Sequence, residues 1–122
     1  MLSQDKNTAE SIISIAMCTF NGEDYLQEQL DSIVKQTRLP DEFVVCDDAS
    51  TDLTLEILNE FKKNVPFPVK IYQNKINLGA TKNFEKTITL CKGNIIALSD
   101  QDDIWLPHKL EKIEELFKKY PN

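Results

Sequence analysis

Three carboxylates fall within four residues at Asp100-Gln101-Asp102-Asp103, directly after the apolar run NIIALS. Packed that closely they repel one another. The simplest offset is a divalent cation held by oxygen ligands. No histidine or thiolate adjoins the cluster, so Mg²⁺ or Mn²⁺ suits it better than zinc. Aspartate also favours helix N-caps, so a capping turn ahead of Pro107 is the structural alternative, although one cap uses one aspartate and not three. A second acidic pair, Asp47-Asp48, closes the run EFVVC and leads into Ser50-Thr51-Asp52; here too capping is an alternative. Two further polar stretches follow apolar runs: Thr19-Phe20-Asn21-Gly22-Glu23-Asp24 and Asn74-Lys75-Ile76-Asn77-Leu78-Gly79. With only three glycines, the chain has neither a G-x-G-x-x-G loop nor a Walker A loop. A phosphate would then be bridged by metal rather than cradled by a glycine-rich turn, which makes the aspartate cluster the natural diphosphate site.

These segments need elements to hold them. Residues 12–18, 42–47, 68–73 and 94–99 read as buried strands, apolar throughout. Between them lie helix-period stretches. The first spans 22–37, with Leu26, Leu30, Ile33 and Val34 on one face. The second runs from a cap at Ser50 or Asp52 to about residue 64, with Ile57, Leu58 and Phe61 inward. The third opens at Asn77 and Gly79 and continues to Cys91, with Phe84, Ile88 and Cys91 on one stripe; Gly93 is expected to close it as a left-handed cap. The fourth covers 107–119, with Pro107 in its first turn and Leu110, Ile113, Leu116 and Phe117 inward. Apolar strands alternating with helices predict an α/β fold whose parallel sheet is covered on both faces. Such sheets bind ligands beyond the carboxyl ends of their strands, where strand order reverses. The expected order is 3-2-1-4. It sets strands one and four side by side and brings Thr19 to Asn21 opposite Asp100 to Asp102.

Composition narrows the classes. Among 122 residues, 41% are hydrophobic and 28% charged, which suits a single folded domain and argues against disorder. A net charge of −6 speaks against a basic nucleic-acid-binding face. No apolar run is long enough for a transmembrane helix, and the polar, acidic N-terminus does not resemble a signal peptide. Cys18, Cys46 and Cys91 are odd in number and lie in or beside apolar stretches, so reduced core thiols in a cytoplasmic protein are expected. One histidine, His108, cannot build a His-rich zinc site.

Taken together and in order, SIAMCTFN (14–21), Gln36-Thr37, VVCDDASTD (44–52), Asn77-Leu78-Gly79 and DQDDIWLP (100–107) resemble the inverting glycosyltransferases of family 2. The resemblance covers residues 12 to about 115 and implies the nucleotide-sugar-binding GT-A fold, a Rossmann-like arrangement. Asp100-Gln101-Asp102 matches the family's D-x-D element. By that resemblance Thr19, Phe20 and Asn21 would lie along the nucleoside of a UDP-sugar, with Glu23 close by. Asp48 would bond the base edge, typically uracil, and Lys82 would approach the diphosphate or base. Asp100 and Gln101 would sit at the donor nucleotide, with Asp100 near ribose and metal, and Asp102 would ligate Mn²⁺ or Mg²⁺. Ala49 stands where the family commonly has glycine, which bears on that loop's backbone dihedral and not on its carboxylates.

The same resemblance implies sugar transfer to a glycan, lipid or protein acceptor, with inversion, as in polysaccharide biosynthesis. The family's base and acceptor half lie after the D-x-D region. Residues 11–122 are therefore expected to be the donor-binding half of a GT-A domain, preceded by a flexible tail at 1–10. The base would lie beyond Asn122, and the exposed edge of strand four would favour self-association. Two alternatives share parts of the pattern: a Mg²⁺-dependent phosphoacceptor receiver domain, and a non-catalytic nucleotide-binding module.

Overall fold

Four parallel strands form the sheet of the computed structural model, which describes residues 11–100 and 103–120. They are β1 (Ile13–Thr19), β2 (Glu42–Asp47), β3 (Val69–Gln73) and β4 (Ile95–Ser99), in the order β3-β2-β1-β4. The helices between and after them are α1 (Leu26–Val34), α2 (Thr54–Lys63), α3 (Ala80–Leu90) and α4 (Lys109–Lys119). The expected order of strands is thus the observed one. The tail proposed at 1–10 lies outside the described residues.

Every residue of β1 and β2 is buried, as expected for strands covered on both faces, but the outer strands depart from that expectation: β4 alternates, with Ile96 and Leu98 exposed, and β3 is fully buried only at Val69. One face carries Ile13, Ile15, Met17, Phe43, Val45, Val69, Ile95 and Ala97. It packs on Leu26, Leu30 and Ile33 of α1, Leu58 and Phe61 of α2, and Leu110 of α4. Phe43 lies 5.3 Å from Phe61 and 6.4 Å from Phe67, centroid to centroid, which fills the space under β2 and β3. The opposite face of β1 and β2 meets α3.

Four expectations about faces and caps are corrected. The inner face of α3 is centred on Asn83 and Thr87, the two residues that are buried, rather than on Phe84, Ile88 and Cys91. Asn83 and Thr87 are fully satisfied there: Asn83 Nδ2 donates to the Cys46 carbonyl at 2.9 Å, and Thr87 Oγ1 donates to the Asn83 carbonyl at 2.7 Å. On α4 only Leu110 is fully buried. Leu116 and Phe117 are 57% and 49% exposed. Val34 at the end of α1 is likewise exposed. Gly93 is no left-handed cap, since Gly79 is the one described glycine with positive φ. Gly93 instead presses against β1: a Cβ there would lie 2.5 Å from the Ile12 carbonyl oxygen and 2.8 Å from the Ser14 nitrogen.

Helices α1 and α4 also start later than periodicity suggests. Residues 22–25 form turns, with Tyr25 and Leu26 amides both bonded to the Gly22 carbonyl. Ahead of α1, the amides of Asn21, Gly22 and Glu23 bond to side chains of the loop after β2, which hold this entry in its turn.

At the amino end of the sheet, the buried Glu42 carboxylate accepts from Ser14 Oγ, the Lys92 amide and Lys70 Nζ, the last at 3.0 Å. Burial opposes its ionisation, but these bonds prevail and hold its pKa below the ordinary 4.5. A carboxyl with a depressed folded pKa adds stability that is fully present above its unfolded pKa and is lost as pH falls through the folded value. Glu42→Gln should therefore weaken the fold at neutral pH by about 2 kcal/mol, since hydrogen bonds to charged groups are the strong ones. The loss should shrink as pH drops below about 4.5, the unfolded carboxyl range. Urea titrations at pH 7 and pH 3 measure this, and an equal loss at both pH values would refute it.

A cleft at the carboxyl ends of the strands

The loops after β1 and β2 are sewn together by side chains that accept from backbone amides. The Asn21 amide donates to Ser50 Oγ and the Gly22 amide to Thr54 Oγ1, at 2.8 and 2.9 Å. Asn21 Oδ1 accepts from the Thr51 amide at 2.8 Å, and Glu23 Oε1 accepts from the Leu53 amide at 2.9 Å. Asp47 is wholly buried and takes the Thr19 hydroxyl at 2.7 Å and both the amide and hydroxyl of Ser50. Two residues here hold left-handed backbone: Asn21 at φ 47° and Ala49 at φ 64°. Asparagine tolerates this well, but alanine does so only at a cost. Ala49 thus adopts the conformation for which a glycine would be suited.

Asp48 closes the next link. It is 4% exposed, and its Oδ1 accepts from the Leu78 amide at 2.7 Å and Asn74 Nδ2 at 2.9 Å. Its Oδ2 accepts from the Gly79 amide at 2.9 Å. Burial alone would raise its pKa; the three donors outweigh burial and, with the positive charge of Lys86 nearby, keep it below the usual carboxylate range. Asn74 also donates to Asn83 Oδ1 and accepts from Lys86 Nζ, so the network runs from β2 through the β3–α3 loop into α3. Gly79 sits at φ 91°, ψ 156°, a region essentially reserved for glycine, which lets the loop turn its amide toward Asp48.

A cleft of about 360 Å³ opens where these loops meet the end of β4. Thr19, Phe20, Asp48, Gly79, Asn83 and Asp100 are among its walls. Phe20 is exposed there and offers an aromatic surface. Cys18 lies at its floor; burial, with Asp48 and Asp100 nearby, pushes its thiol up to about 11, so it stays protonated and is no nucleophile at neutral pH.

Of the residues singled out from sequence, the fold brings Thr19, Phe20, Asp48 and Asp100 to this one cleft. Asn21 and Glu23 face the loop after β2. Lys82 is exposed on α3 and is not among the cleft walls; Lys86, one turn on, is the α3 cation tied into the Asp48 network. Gln101 and Asp102 lie outside the described residues. Asp103 Oδ2 accepts from the Asp100 amide at 3.4 Å. Among the described residues no group of three His, Cys, Asp or Glu side chains stands ready for a metal. Asn74, Asn83 and Lys86 were not evident as site residues. An asparagine at mid-helix, disfavoured by propensity, was the available signal for Asn83.

The chain matches Glycosyl transferase family 2 over residues 14–122. It is 41% identical over 100 residues to the dTDP-rhamnosyl transferase RfbG of Shigella flexneri, an overlap covering 78% of this chain and 34% of that protein. It is 37% identical over 108 residues to an uncharacterized glycosyltransferase of Haemophilus influenzae, covering 88% of this chain and 33% of the relative. The crystal structure of S. aureus TarS 1-349 in complex with UDP-GlcNAc superposes with a TM-score of 0.81 at 29% identity, covering 90% of this chain and 32% of that one. The chain belongs to glycosyl transferase family 2, and its sheet is that of the GT-A glycosyltransferases. It spans about a third of the length of the curated relatives it matches. The receiver-domain alternative is thereby set aside. No described helix is long and apolar enough to cross a membrane.

Proposed function

We propose that this chain is the donor-binding portion of a glycosyltransferase and that its strand-end cleft takes a nucleoside diphosphate sugar, in the first instance a UDP-sugar, together with Mn²⁺ or Mg²⁺. The observation that carries the reading is the convergence of Thr19, Phe20, Asp48 and Asp100 on one cleft at the point where the strand order reverses. Phe20 offers a flat apolar surface to base or sugar. Asp48 has three acceptor positions in use and Oδ2 carries a single bond, which leaves room for one more donor, such as the imide N–H of uracil.

The cation site fits the chemistry present. Asp100 and Asp102 would hold the ion through oxygen, the ligand type that Mg²⁺ and Mn²⁺ favour, and the described cleft walls carry no histidine. When bound, the cation supplies charge neutralisation for a diphosphate leaving group. The chain's own contribution is to bind and orient the donor. In the whole protein we infer transfer of the sugar, with inversion, to a glycan, lipid or protein acceptor.

Calorimetry with UDP tests this. Binding is expected in Mn²⁺ and lost in chelator. Asp102→Asn keeps the side chain's shape and removes its charge, and should abolish the metal-dependent component. Equal wild-type affinity with and without metal would contradict the cation assignment.

A further inference from the structure

Helix α1 carries a second row of inward residues beside its apolar one. Gln29, Ser32 and Gln36 fall three and four positions apart, on one helical face that Gln36 continues two residues past the helix end. All three are buried, Gln29 to 1% exposure. Such a row costs desolvation and is sustained only where every polar atom finds a partner. Apart from two bonds back to carbonyls of α1 itself, the partners belong to a single stretch, residues 99–110. Gln29 Nε2 donates to Ser99 Oγ at 3.1 Å and to the Asp100 carbonyl. Ser32 Oγ accepts from the Trp105 amide at 3.0 Å while donating to the Gln29 carbonyl at 2.7 Å. Gln36 Nε2 donates to the Leu106 carbonyl at 2.7 Å, and its Oε1 accepts from the Leu110 amide at 3.0 Å. Thr37 extends the row, its amide bonded to the Pro107 carbonyl at 2.9 Å.

Residues 103–106 have no helix or strand of their own. Their backbone therefore lacks the internal ladder that would fix its path, and α1 supplies the missing partners. The grips fall at Asp100 and again at Trp105 and Leu106. The indole of Trp105, itself buried, and Lys109 Nζ at 4.4 Å above its ring lock the second grip further. An apolar row would have held α1 to the core equally well but could not have set the position of individual carbonyls and amides.

We propose that Gln29, Ser32 and Gln36 are positioning residues that fix the backbone at Asp100 and at Trp105 and Leu106 and so tune how tightly the site holds a cation–diphosphate pair. This rests on the reading that the cleft takes a nucleoside diphosphate with a divalent cation. The row's bonds reach neither Phe20 nor Asp48, the groups read as facing the base. Its removal should thus weaken the diphosphate side of recognition more than the nucleoside side.

The test uses the 122-residue chain with two probes: UDP in Mn²⁺ by calorimetry, and uridine, which lacks phosphate, by NMR titration. Gln29→Met preserves side-chain length and removes the amide. It should weaken UDP binding in Mn²⁺ by about tenfold or more, the usual scale for losing an outer-shell partner of a metal site, while uridine affinity falls by a clearly smaller factor. Ser32→Ala should shift the same ratio in the same direction by a smaller factor. If Gln29→Met does not melt cooperatively, Ser32→Ala decides alone. Equal loss for UDP and uridine would mark the row as scaffold only and overturn the proposal. Unchanged UDP binding in both variants, with the wild type binding normally, would overturn it too. Failure of the wild type to bind UDP in Mn²⁺ is a different result: it defeats the donor-site reading itself, and the clamp with it.

Discussion

Replacing Asp48 by alanine will cost the chain about 3 kcal/mol of stability and at least tenfold in UDP affinity, while leaving simple Mn²⁺ binding in place. The stability loss follows from what Asp48 holds. Three donors point at its carboxylate: the amides of Leu78 and Gly79 and the side chain of Asn74. An orphaned buried donor costs about 1–3 kcal/mol, and partial hydration of the β3–α3 loop would offset some of the sum. The affinity loss follows because that loop, with Gly79 and Ala80, forms a cleft wall. Asparagine should rescue poorly. Whichever way its amide turns, an NH₂ group faces the Leu78 or Gly79 N–H. Mn²⁺ is spared because the proposed ligands Asp100 and Asp102 lie on another loop. Urea denaturation, UDP calorimetry and Mn²⁺ binding by electron paramagnetic resonance read the three effects. A variant as stable as wild type within about 0.5 kcal/mol would show that the loop does not depend on Asp48.

Gly93→Ala should be comparably damaging, at about 3 kcal/mol, through a different cause. The added methyl would meet the Ile12 carbonyl at 2.5 Å, Ser14 Oγ at 2.6 Å and the Ser14 amide nitrogen at 2.8 Å. Two of these are backbone atoms of, or just before, β1, at the centre of the sheet, so neither can swing aside. Relief would require lifting the 91–94 turn. That would break the Gly93 amide bond to Ser14 Oγ at 2.8 Å and disturb the Ile95 amide bond to Ile12 that starts β4 pairing. For a domain of this size the loss corresponds to a melting temperature lower by on the order of 10 °C. A melting temperature within about 2 °C of wild type would mean that the turn yields without consequence.

Gly93 also shows where sequence reading stops. Its place after α3 pointed to a glycine, and a helix cap is the local reason to have one. The actual reason is β1, about 80 residues earlier in the chain, and only the folded sheet brings the two together. Strand order was legible because its cause is local: apolar strands alternating with helices admit few windings. The inner face of α3 was not, because Asn83 and Thr87 are polar and hydropathy selects Phe84 and Ile88 instead. The helix lines a cleft there, and its buried positions serve Asp48 and Cys46 rather than an apolar core. Leu116 and Phe117 share α4's period with Leu110, but period alone does not say how far a helix stays on the sheet. In the site, the types and spacing of the acidic residues were readable. The partners that hold them were not, since Leu78, Gly79 and Asn74 come some 26–31 residues after Asp48. Likewise nothing in Gln29, Ser32 or Gln36 taken singly reveals that they share one partner segment.

Location is the most direct test of the central claim, and amide chemical shifts of the isotope-labelled chain on addition of UDP with Mg²⁺ report it residue by residue. The account predicts perturbations concentrated at Thr19, Phe20, Asp48, Gly79, Ala80 and Asp100, around the strand-end cleft. Shifts confined to the groove between α1 and α2, lined by Gln27, Asp31, Glu60 and Asn64, or no saturable shifts at all, would contradict it.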